Sequence, residues 1–349
     1  MKYTKKDLLK KEIQHIDISS FNCVPLIESF HQMAFQSRNL ANACKIYDRM
    51  LQDKDCTIFL CLAGSLFSAG LKKIVHTMIS NNMVDGIIST GAIIVDMDFF
   101  EALGFKHYFG TPFVNDDELR RLHIDRIYDT FIDEDELRIC DHTVKIIADS
   151  LKPQPYSSRE FITEMGRYLD IQGCKVNDSV IYAAHQHQVP IFVPAFSDCS
   201  AGFGLLDHQR QHPKDHVTID SARDFRELID IVLKSKETGI VMVGGGVPKN
   251  FVQDAVLGGE VTETGELRDP TRMHKYAIQI TLASEYDGAL SGSTLKEASS
   301  WGKVDQTYEQ MVFCEATIAM PLLASYVYHK GNWKKRKAKK FNQYFIKNH

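Results

Sequence analysis

The sequence predicts an α/β protein built on a doubly wound, mainly parallel sheet of six or more strands, with a helical N-terminal extension. Apolar runs that end in small residues alternate with amphipathic segments of helical period, which is the pattern of βαβ units. Of the 349 residues, 44% are hydrophobic and 25% are charged, as in ordinary globular proteins. No internal repeat or low-complexity segment interrupts the pattern, so we expect a Rossmann-like fold.

The charge and composition exclude several classes of protein. The chain has 41 Lys and Arg residues against 45 Asp and Glu residues, a net charge of −4, which argues against a disordered chain and a strongly basic nucleic-acid binder. No apolar run reaches the length of about 18 residues that a membrane span needs, and residues 1–14 lack the apolar core of a signal peptide. We therefore expect a cytoplasmic protein whose 8 cysteines are buried free thiols.

The first elements of the chain are predicted to be helices. Within residues 1–55, apolar side chains such as Phe21, Leu26 and Phe30 recur at roughly helical spacing. A βαβ unit then follows: CTIFLCLAG (56–64) predicts a strand, GLKKIVHTMISNN (70–82) an amphipathic helix, and MVDGIISTGA (83–92) a second strand.

The second half of the chain repeats this alternation. DSVIYAAHQHQ (178–188) and ARDFRELIDIVLKS (222–235) predict helices, the second with one apolar face. The predicted buried strands are VPIFVPAF (189–196), TGIVMVGGG (238–246) and KYAIQITLA (275–283).

Two polar segments lie outside these elements. VLGGEVTETGELRDPTRMH (256–274) predicts an exposed, turn-rich excursion. NWKKRKAKKF (332–341) predicts a solvated or subunit-contacting tail, with binding of RNA or an acidic partner as the alternative. The predicted organisation is a helical extension over residues 1–55, an α/β domain that carries the ligand site over 56–330, and a basic tail over 331–349.

The residues at the strand ends are the first candidates for a ligand site, because open parallel sheets bind ligands beyond the carboxyl ends of their strands. The glycines at 244–246 let a backbone approach a phosphate closely, and a helix that begins there offers free N–H groups to an anion. Asp96, Asp198 and Asp287 could accept hydrogen bonds from ribose hydroxyls. Together these residues indicate a dinucleotide site, although three glycines alone predict only a tight turn.

The segment LKEASSWGKVDQ (295–306) predicts a second part of the site. A lysine that is desolvated beside an apolar ring has a lowered pKa and can attack a carbonyl or an imine, which makes Lys303 a candidate nucleophile. Trp301 could also stack on a cationic ligand. The alternative is a loop with one buried aromatic residue and a solvated lysine.

Five segments resemble the deoxyhypusine synthase family, and most of all its bacterial deoxyhypusine synthase-like members. In the family's order they are CTIFLCLAGSLFSAG, NNMVDGIISTGA, VPIFVPAFSDCSAG, VMVGGGVPKN and EYDGALSGSTLKEASSWGKV. The last segment is the most specific, because the family's catalytic lysine lies in a Ser-Trp-Gly-Lys tetrad, which here is Ser300-Trp301-Gly302-Lys303. The likeness extends from about residue 20 to about residue 325.

This resemblance implies an NAD-dependent aminobutyl transferase. In such an enzyme NAD removes a hydride beside the secondary amine of spermidine, and a lysine captures the aminobutyl group as a Schiff base. The group then passes to an acceptor amine as the hydride returns. The acceptor is a lysine of a translation factor precursor in the synthase proper, and putrescine in homospermidine synthases. The resemblance also implies a homotetramer with active sites at subunit interfaces.

The family's functional residues transfer to this sequence position by position. Lys303 is the expected imine-forming lysine, and Trp301 and Glu297 are expected in the amine site. The expected NAD-binding residues are Ser65, Ser68, Thr90, Gly91, Asp96, Asp198, Gly244, Gly245, Gly246, Ala283, Asp287, Glu315 and Ala316. One of these replaces an Asn and two exchange one acid for the other, so we expect NAD binding to survive.

The amine site departs further from the family pattern. Phe203 and Leu290 stand where the synthase has Asp, and Asn250 stands where it has His. Because polyamine ammonium groups bind best to carboxylates, these losses predict weaker spermidine binding. They favour another amine, homospermidine synthase-like transfer to a free diamine, or a non-catalytic NAD- or amine-binding protein. The candidate replacement acids are Asp207, Glu285 and Glu297.

Two further candidates predict no chemistry. His208, His212 and His216 have four-residue spacing, but Pro213 interrupts helical periodicity, so we expect a solvated polar loop rather than a metal site. Cys199 has no neighbouring histidine motif, so we expect a packing residue rather than a nucleophile.

Overall fold

The computed structural model describes residues 3–174, 178–266 and 272–348, and its strands in those ranges centre on one parallel sheet. The strands are β1 (Cys56–Leu62), β2 (Gly86–Ser89), β3 (His107–Phe109), β4 (Ile124–Ile127), β5 (Thr130–Asp133), β6 (Pro155–Tyr156), β7 (Ile191–Phe192), β8 (Thr218–Ile219), β9 (Glu237–Val243), β10 (Tyr276–Thr281) and β11 (Glu309–Phe313). The 6-stranded sheet has the order β11-β10-β9-β1-β2-β7, and every neighbouring pair is parallel. The predicted mainly parallel α/β sheet is confirmed.

Helices pack around this sheet. They are α1 (Lys5–Leu8), α2 (Val24–Phe30), α3 (Phe35–Gln52), α4 (Lys72–Ser80), α5 (Phe100–Ala102), α6 (Asp116–Arg121), α7 (Glu134–Ser150), α8 (Ser158–Gln172), α9 (Val180–His187), α10 (Ser200–Gln211), α11 (Ser221–Lys234), α12 (Gly246–Thr264), α13 (Leu295–Ser300), α14 (Ala316–Lys330) and α15 (Phe341–Asn348). A π-helix, Ala92–Phe99, precedes α5. Among the described residues, no helix combines the length and apolar character needed to cross a bilayer.

The buried strands explain why the sequence pattern located most of the sheet. All 7 residues of β1 are buried, and strands covered on both faces are typically continuous apolar runs. The five predicted strands therefore coincide with β1, β2, β7, β9 and β10. β11 was not predicted, because it is an edge strand that begins with the half-buried polar residues Glu309 and Gln310.

The predicted helices are confirmed in position. α4, α9 and α11 lie within the segments expected to be helical. In the N-terminal extension, α3 buries Leu40, Cys44 and Tyr47 and packs against β10 and β11. The extension is thus part of the main core rather than a separate layer.

The prediction of an exposed excursion over residues 256–274 is wrong for its first half. Residues up to Thr264 belong to α12, and Val256, Gly259 and Glu260 are buried. The adjacent glycines Gly258 and Gly259 lie inside this helix and serve close helix packing. A Cβ atom at Gly258 would lie 2.5 Å from Cδ1 of Ile229 on α11. Residues 267–271 of the predicted excursion lie outside the described residues.

The prediction of a solvated basic tail is wrong for the residues that anchor the tail. Arg336 donates from Nη2 to Asp85 at 2.6 Å, and the two side chains are 4% and 2% exposed. Phe341 and Phe345 of α15 lie in the apolar cluster on one face of the sheet. The exposed lysines of this segment are typical of a solvated tail. The ion pair cannot be predicted from this segment alone, because Asp85 lies 251 residues earlier in the sequence.

Replacing Arg336 by methionine is expected to lower the free energy of unfolding by about 3–5 kcal/mol, because Asp85 would keep a buried charge without its partner. Urea unfolding at one fixed protein concentration measures the difference. The control is Lys337→Met, an exposed neighbour, which should change stability by no more than about 0.5 kcal/mol. Equal stabilities of the two variants would contradict the assignment of this ion pair as the anchor.

Candidate functional site

The carboxyl ends of the six parallel strands meet at one edge of the sheet, as parallel pairing requires. Backbone hydrogen bonds join the turns that follow them. The amide of Thr90 donates to Leu62 O at 3.2 Å, and the amide of Gly244 donates to Ile280 O at 2.8 Å. The turns after β1, β2, β9 and β10 therefore lie side by side, and the predicted dinucleotide-binding residues follow these strands and β7 and β11.

The glycine turn after β9 has a conformation and a clearance that require glycine. Gly244 and Gly246 have φ values of +87° and +67°, in the left-handed region that other residues rarely adopt. A Cβ atom at Gly245 would lie 2.5 Å from Cα of Ser291, whereas one at Gly246 would meet no atom within 4 Å. The N-terminus of α12 therefore begins beside open space and presents free amide groups to it.

A groove of about 680 Å³ opens at the same edge. Three of the predicted residues line it, namely Ser65, Ser68 and Glu315, and the turn between β4 and β5 contributes Tyr128. Ser68 Oγ donates to Ser65 O at 2.8 Å. Glu315 caps α14 by accepting from the amide of Thr317 at 2.8 Å. The groove is lined by residues that are far apart in sequence, from Ile13 to Thr317.

Three further predicted residues at this edge, Asp96, Asp287 and Thr90, differ in whether their polar side-chain atoms have hydrogen-bond partners. Asp96 accepts from the amide of Ser200 at 2.8 Å, and burial raises its pKa to about 7. Asp287 accepts from the amide of Ala289 at 2.9 Å. Thr90 Oγ1 is buried and has no hydrogen-bond partner among the described residues. A buried hydroxyl without a partner is uncommon, so this atom marks a position where a ligand could be bound.

A second cavity, of about 250 Å³, lies between α12 and α13. Its lining consists of Asn250, Gln253, Leu290, Ser293, Glu297, Ala298, Trp301 and Lys303. Five of these eight were predicted for the amine site: Asn250, Leu290, Glu297, Trp301 and Lys303. The structure therefore brings them together as one cavity.

The end of α13 orients Lys303 towards this cavity. Thr294 caps the helix start by accepting from the amide of Glu297 at 3.0 Å. After Trp301 the chain turns at Gly302, whose φ is +73°, and the amide of Lys303 donates back to Ala298 O at 3.1 Å. This glycine-terminated helix end is the local reason for the Trp-Gly-Lys order.

The side chain of Lys303 is enclosed by polar and aromatic partners. It is 13% exposed, and its Nζ lies 2.7 Å from Oδ1 of Asp254. Nζ also donates to Asn250 Oδ1 at 3.1 Å and lies 5.5 Å from the centre of the Trp301 ring. The alternative of a solvated lysine is therefore wrong. Trp301 itself is 64% exposed, so the buried aromatic residue of that alternative is also wrong.

Sequence reasoning missed Asp254 and Lys249, which lie beside the cavity. Lys249 is fully buried and donates to Leu290 O at 3.2 Å, to Ser293 Oγ at 3.0 Å, and to Ser293 O. Burial lowers its pKa to about 8. The signal for Asp254 was its spacing of four residues from Asn250 on one helix.

The histidines near the end of α10 form a hydrogen-bonded network. Asp149, His208 and His212 bring candidate metal-ligand atoms within 4.8 Å of one another. His208 Nε2 accepts from the amide of Val217 at 2.9 Å, so its proton lies on Nδ1, which donates to Asp149 at 2.6 Å. Both ring nitrogens are engaged, and His208 has no lone pair for a metal. The predicted solvated loop is wrong for His208, which is buried in α10 because these two bonds hold it.

Cys199 packs at the same edge of the sheet. A Cβ atom at Gly91 would lie 2.6 Å from its Sγ, and Sγ donates to Phe196 O at 3.2 Å. Burial raises the pKa of the Cys199 thiol, which disfavours the thiolate that a nucleophile requires. These contacts support the predicted packing role.

Comparison with known proteins identifies the family. The sequence model described as deoxyhypusine synthase matches residues 25–327. This chain belongs to the deoxyhypusine synthase family. The deoxyhypusine synthase-like protein of Chlorobaculum tepidum is 61% identical over 338 residues, which cover 97% of this chain and 95% of that protein. The deoxyhypusine synthase-like protein of Coxiella burnetii is 57% identical over 341 residues, which cover 98% and 96%. The resemblance inferred from the sequence motifs is confirmed.

A solved structure shares the fold of this family member. The crystal structure of a candidate deoxyhypusine synthase from Entamoeba histolytica aligns with a TM-score of 0.62 at 19% identity, over 93% of this chain and 99% of that chain. At this identity the likeness shows the fold alone. The residue roles inferred from the deoxyhypusine synthase resemblance stay predictions.

One residue carried over from the deoxyhypusine synthase pattern does not reach the cavity within this chain. Phe203 lies on α10, is 57% exposed, and packs under the Arg138 guanidinium at 5.1 Å from its ring centre. Of the candidate replacement acids, only Glu297 lines the cavity, whereas Asp207 and Glu285 do not. A single chain therefore assembles most, but not all, of the predicted amine site.

The lowered pKa of Lys249 predicts a pH dependence of stability. Its pKa is about 8 in the folded protein, against 10.5 for an ordinary lysine, so the unfolded chain binds more protons between these pH values and stability rises with pH. Relative to Lys249→Met, the wild type should gain about 2 kcal/mol between pH 7.5 and pH 10.

Urea unfolding of both proteins at the two pH values measures this change. Lys296→Met, which removes an exposed lysine of α13, is the control and should keep the wild-type dependence. If the difference in unfolding free energy between wild type and Lys249→Met is the same at both pH values, the pKa of Lys249 is not lowered.

Proposed function

We propose that this protein transfers an aminoalkyl group from a polyamine to an acceptor amine through an imine on Lys303, with NAD as cofactor. The observation that carries the proposal is the environment of the Lys303 amine. It lines a cavity, beside an aromatic ring and a carboxylate, and a second acid, Glu297, lines the same cavity. Membership of the deoxyhypusine synthase family supports this chemistry.

The residues at the strand-end edge fit a dinucleotide. Thr90 Oγ1 is a buried polar atom that no other described residue hydrogen-bonds, and the space over Gly246 is open where α12 begins. Gly246 and the amides that follow would hold phosphate, and Asp287 and Glu315 would accept from ribose hydroxyls. When bound, NAD supplies a hydride acceptor that returns the hydride at the end, so the transfer involves no net oxidation.

Lys303 would act as the nucleophile of the transfer. As the neutral amine, it attacks the imine carbon of the oxidised polyamine, forming a C–N bond to Nζ as the bond to the leaving amine breaks. The leaving amine departs with a proton. The acceptor amine then attacks the same carbon and releases Lys303. Each step is an addition to the C=N bond followed by loss of an amine, so the carbon stays at the imine oxidation level. The hydride returned by NAD would reduce the imine on the acceptor and complete the transfer.

The other residues of the cavity would bind and orient the amine. Trp301 presents a large exposed face next to Lys303, which suits cation–π contact with an ammonium group. Glu297 at the same wall can accept a charge-assisted hydrogen bond from it. Leu290 brings an apolar side chain where the family has an acid, which favours a methylene segment at that point over a charge.

The amine site of a single chain bears on the oligomeric state and on the acceptor amine. Phe203 does not line the cavity of its own chain, and this supports the family's expected homotetramer, in which a second copy adjoins the site. The altered acids favour a free amine as acceptor over a protein lysine. The 8 cysteines are free, consistent with the proposed reducing cytoplasmic compartment.

Borohydride trapping tests the role of Lys303. Incubation with NAD and a panel of diamines and triamines, followed by reduction, should add the mass of a reduced aminoalkyl group to the peptide that contains Lys303. Lys303→Arg should remove this adduct, because a guanidinium stays protonated and cannot form the imine. Mass spectra of the small-molecule products from the same incubations identify the donor and the acceptor.

The control for trapping is Lys296→Arg, an exposed lysine of α13, the helix that precedes Lys303, which should leave the adduct intact. An adduct that persists in Lys303→Arg would place the chemistry on another residue. NAD binding without any adduct or product across the panel would instead favour a non-catalytic relative, the second function left open by the changed amine site.

A further inference from the structure

One carboxylate beside Lys303 belongs to neither the predicted cofactor site nor the predicted amine site. Asp254 lies on α12, four residues after Asn250. Its Oδ1 is 2.7 Å from Lys303 Nζ, and its Oδ2 accepts from Asn250 Nδ2 at 2.7 Å. Asn250 Oδ1 accepts from Lys303 Nζ at 3.1 Å. Each of the three side chains therefore contacts the other two, and Oδ1 of Asp254 is held against Nζ of Lys303.

The Lys303 ammonium balances the charge of the Asp254 carboxylate in the free protein. Glu297 and Lys303 line the cavity, whereas Asp254 and Lys249 do not line it but contact the lining residues Lys303 and Ser293 respectively. Lys249 donates to neutral oxygens of Leu290 and Ser293, so Lys303 is the cation within hydrogen-bond distance of Asp254. The Asp254 side chain is 34% exposed, which leaves it accessible to an incoming cation.

We propose that Asp254 is the ammonium-binding carboxylate of the amine cavity, and that it exchanges Lys303 for the ammonium group of a bound primary amine. It would take the place of the acids that are absent at Phe203 and Leu290. The identity of the ligand class rests on the proposed function. The assignment of Asp254 rests on its distances to Lys303 and Asn250.

The exchange also prepares Lys303 for attack. In the free protein the Lys303 ammonium is held by Asp254, and in that form its nitrogen has no lone pair. When the substrate ammonium takes its place, Lys303 loses its counterion and gains a positive neighbour. Both changes favour the neutral amine. The proton passes from Nζ to water, Asp254 stays ionised, and no other bond changes.

Calorimetric titration of the full chain with putrescine, at low salt and without NAD, tests the exchange. Lys303→Met removes the competing cation and should bind putrescine more tightly than wild type, on the order of tenfold. Adding Asp254→Asn to that variant should weaken binding again by on the order of tenfold, because the amide cannot supply a charged acceptor. Glu263→Gln, an exposed acid on the same helix, is the control and should not change affinity.

A second measurement does not require an amine ligand. Acylation of Lys303 by acetic anhydride, followed by mass spectrometry, reports how much of its amine is neutral. In Asp254→Asn this reactivity near pH 8 should rise on the order of tenfold over wild type, whereas Lys296 in the same digest should not change. A structural role alone would leave the reactivity of Lys303 unchanged.

The outcomes separate this inference from the proposed function. Failure of Lys303→Met to bind putrescine, equal affinity with and without Asp254→Asn, or unchanged Lys303 acylation would each overturn it. Trapping on Lys303 with putrescine affinity independent of Asp254 would keep the transfer reaction and reject this role. The predicted affinity pattern without any trapped adduct would support Asp254 as an amine site and reject the reaction.

Discussion

The parallel register of β1 with β9 is the constraint on which the candidate site depends. The two strands pair along their whole length, from Cys56 opposite Glu237 to Leu62 opposite Val243, in the middle of the sheet. Both strands therefore end at the same level, and the groove residues after β1 lie at the same edge as the glycine turn after β9. A slip of one residue would turn each side chain to the opposite face. It would also shift the start of α12, and with it Asn250 and Asp254.

The two lysines near the cavity illustrate how one small region can produce two electrostatic environments. Lys249 is fully buried among carbonyl and hydroxyl oxygens. These oxygens direct its hydrogen bonds but do not balance its charge, so desolvation lowers its pKa. Lys303 retains some exposure and has a carboxylate partner. Lys249 connects α12 to the loop before α13. Of the two lysines, only Lys303 lines the cavity.

Local apolar runs predicted five of the six strands of the main sheet, and the resemblance to the deoxyhypusine synthase family predicted most of the residues that line the cavity. Buried strands are apolar runs, and the Ser-Trp-Gly-Lys tetrad contains its own turn at Gly302. The missing parts depend on contacts between distant segments. Asp254 and Lys303 are separated by most of α12, β10 and α13, so nothing local marks them as partners. β11 was missed because this edge strand begins with polar residues. The Gly258-Gly259 pair is ambiguous, because adjacent glycines occur both at helix ends and where two helices pack closely.

The anchor between Arg336 and Asp85 has a consequence for synthesis of the chain. Asp85 leaves the ribosome early, and the cation that compensates its buried charge follows 251 residues later. Until then, the nascent sheet between β1 and β2 carries an acid that is costly to enclose. Full burial of this end of the sheet can therefore occur only after Arg336 has emerged from the ribosome.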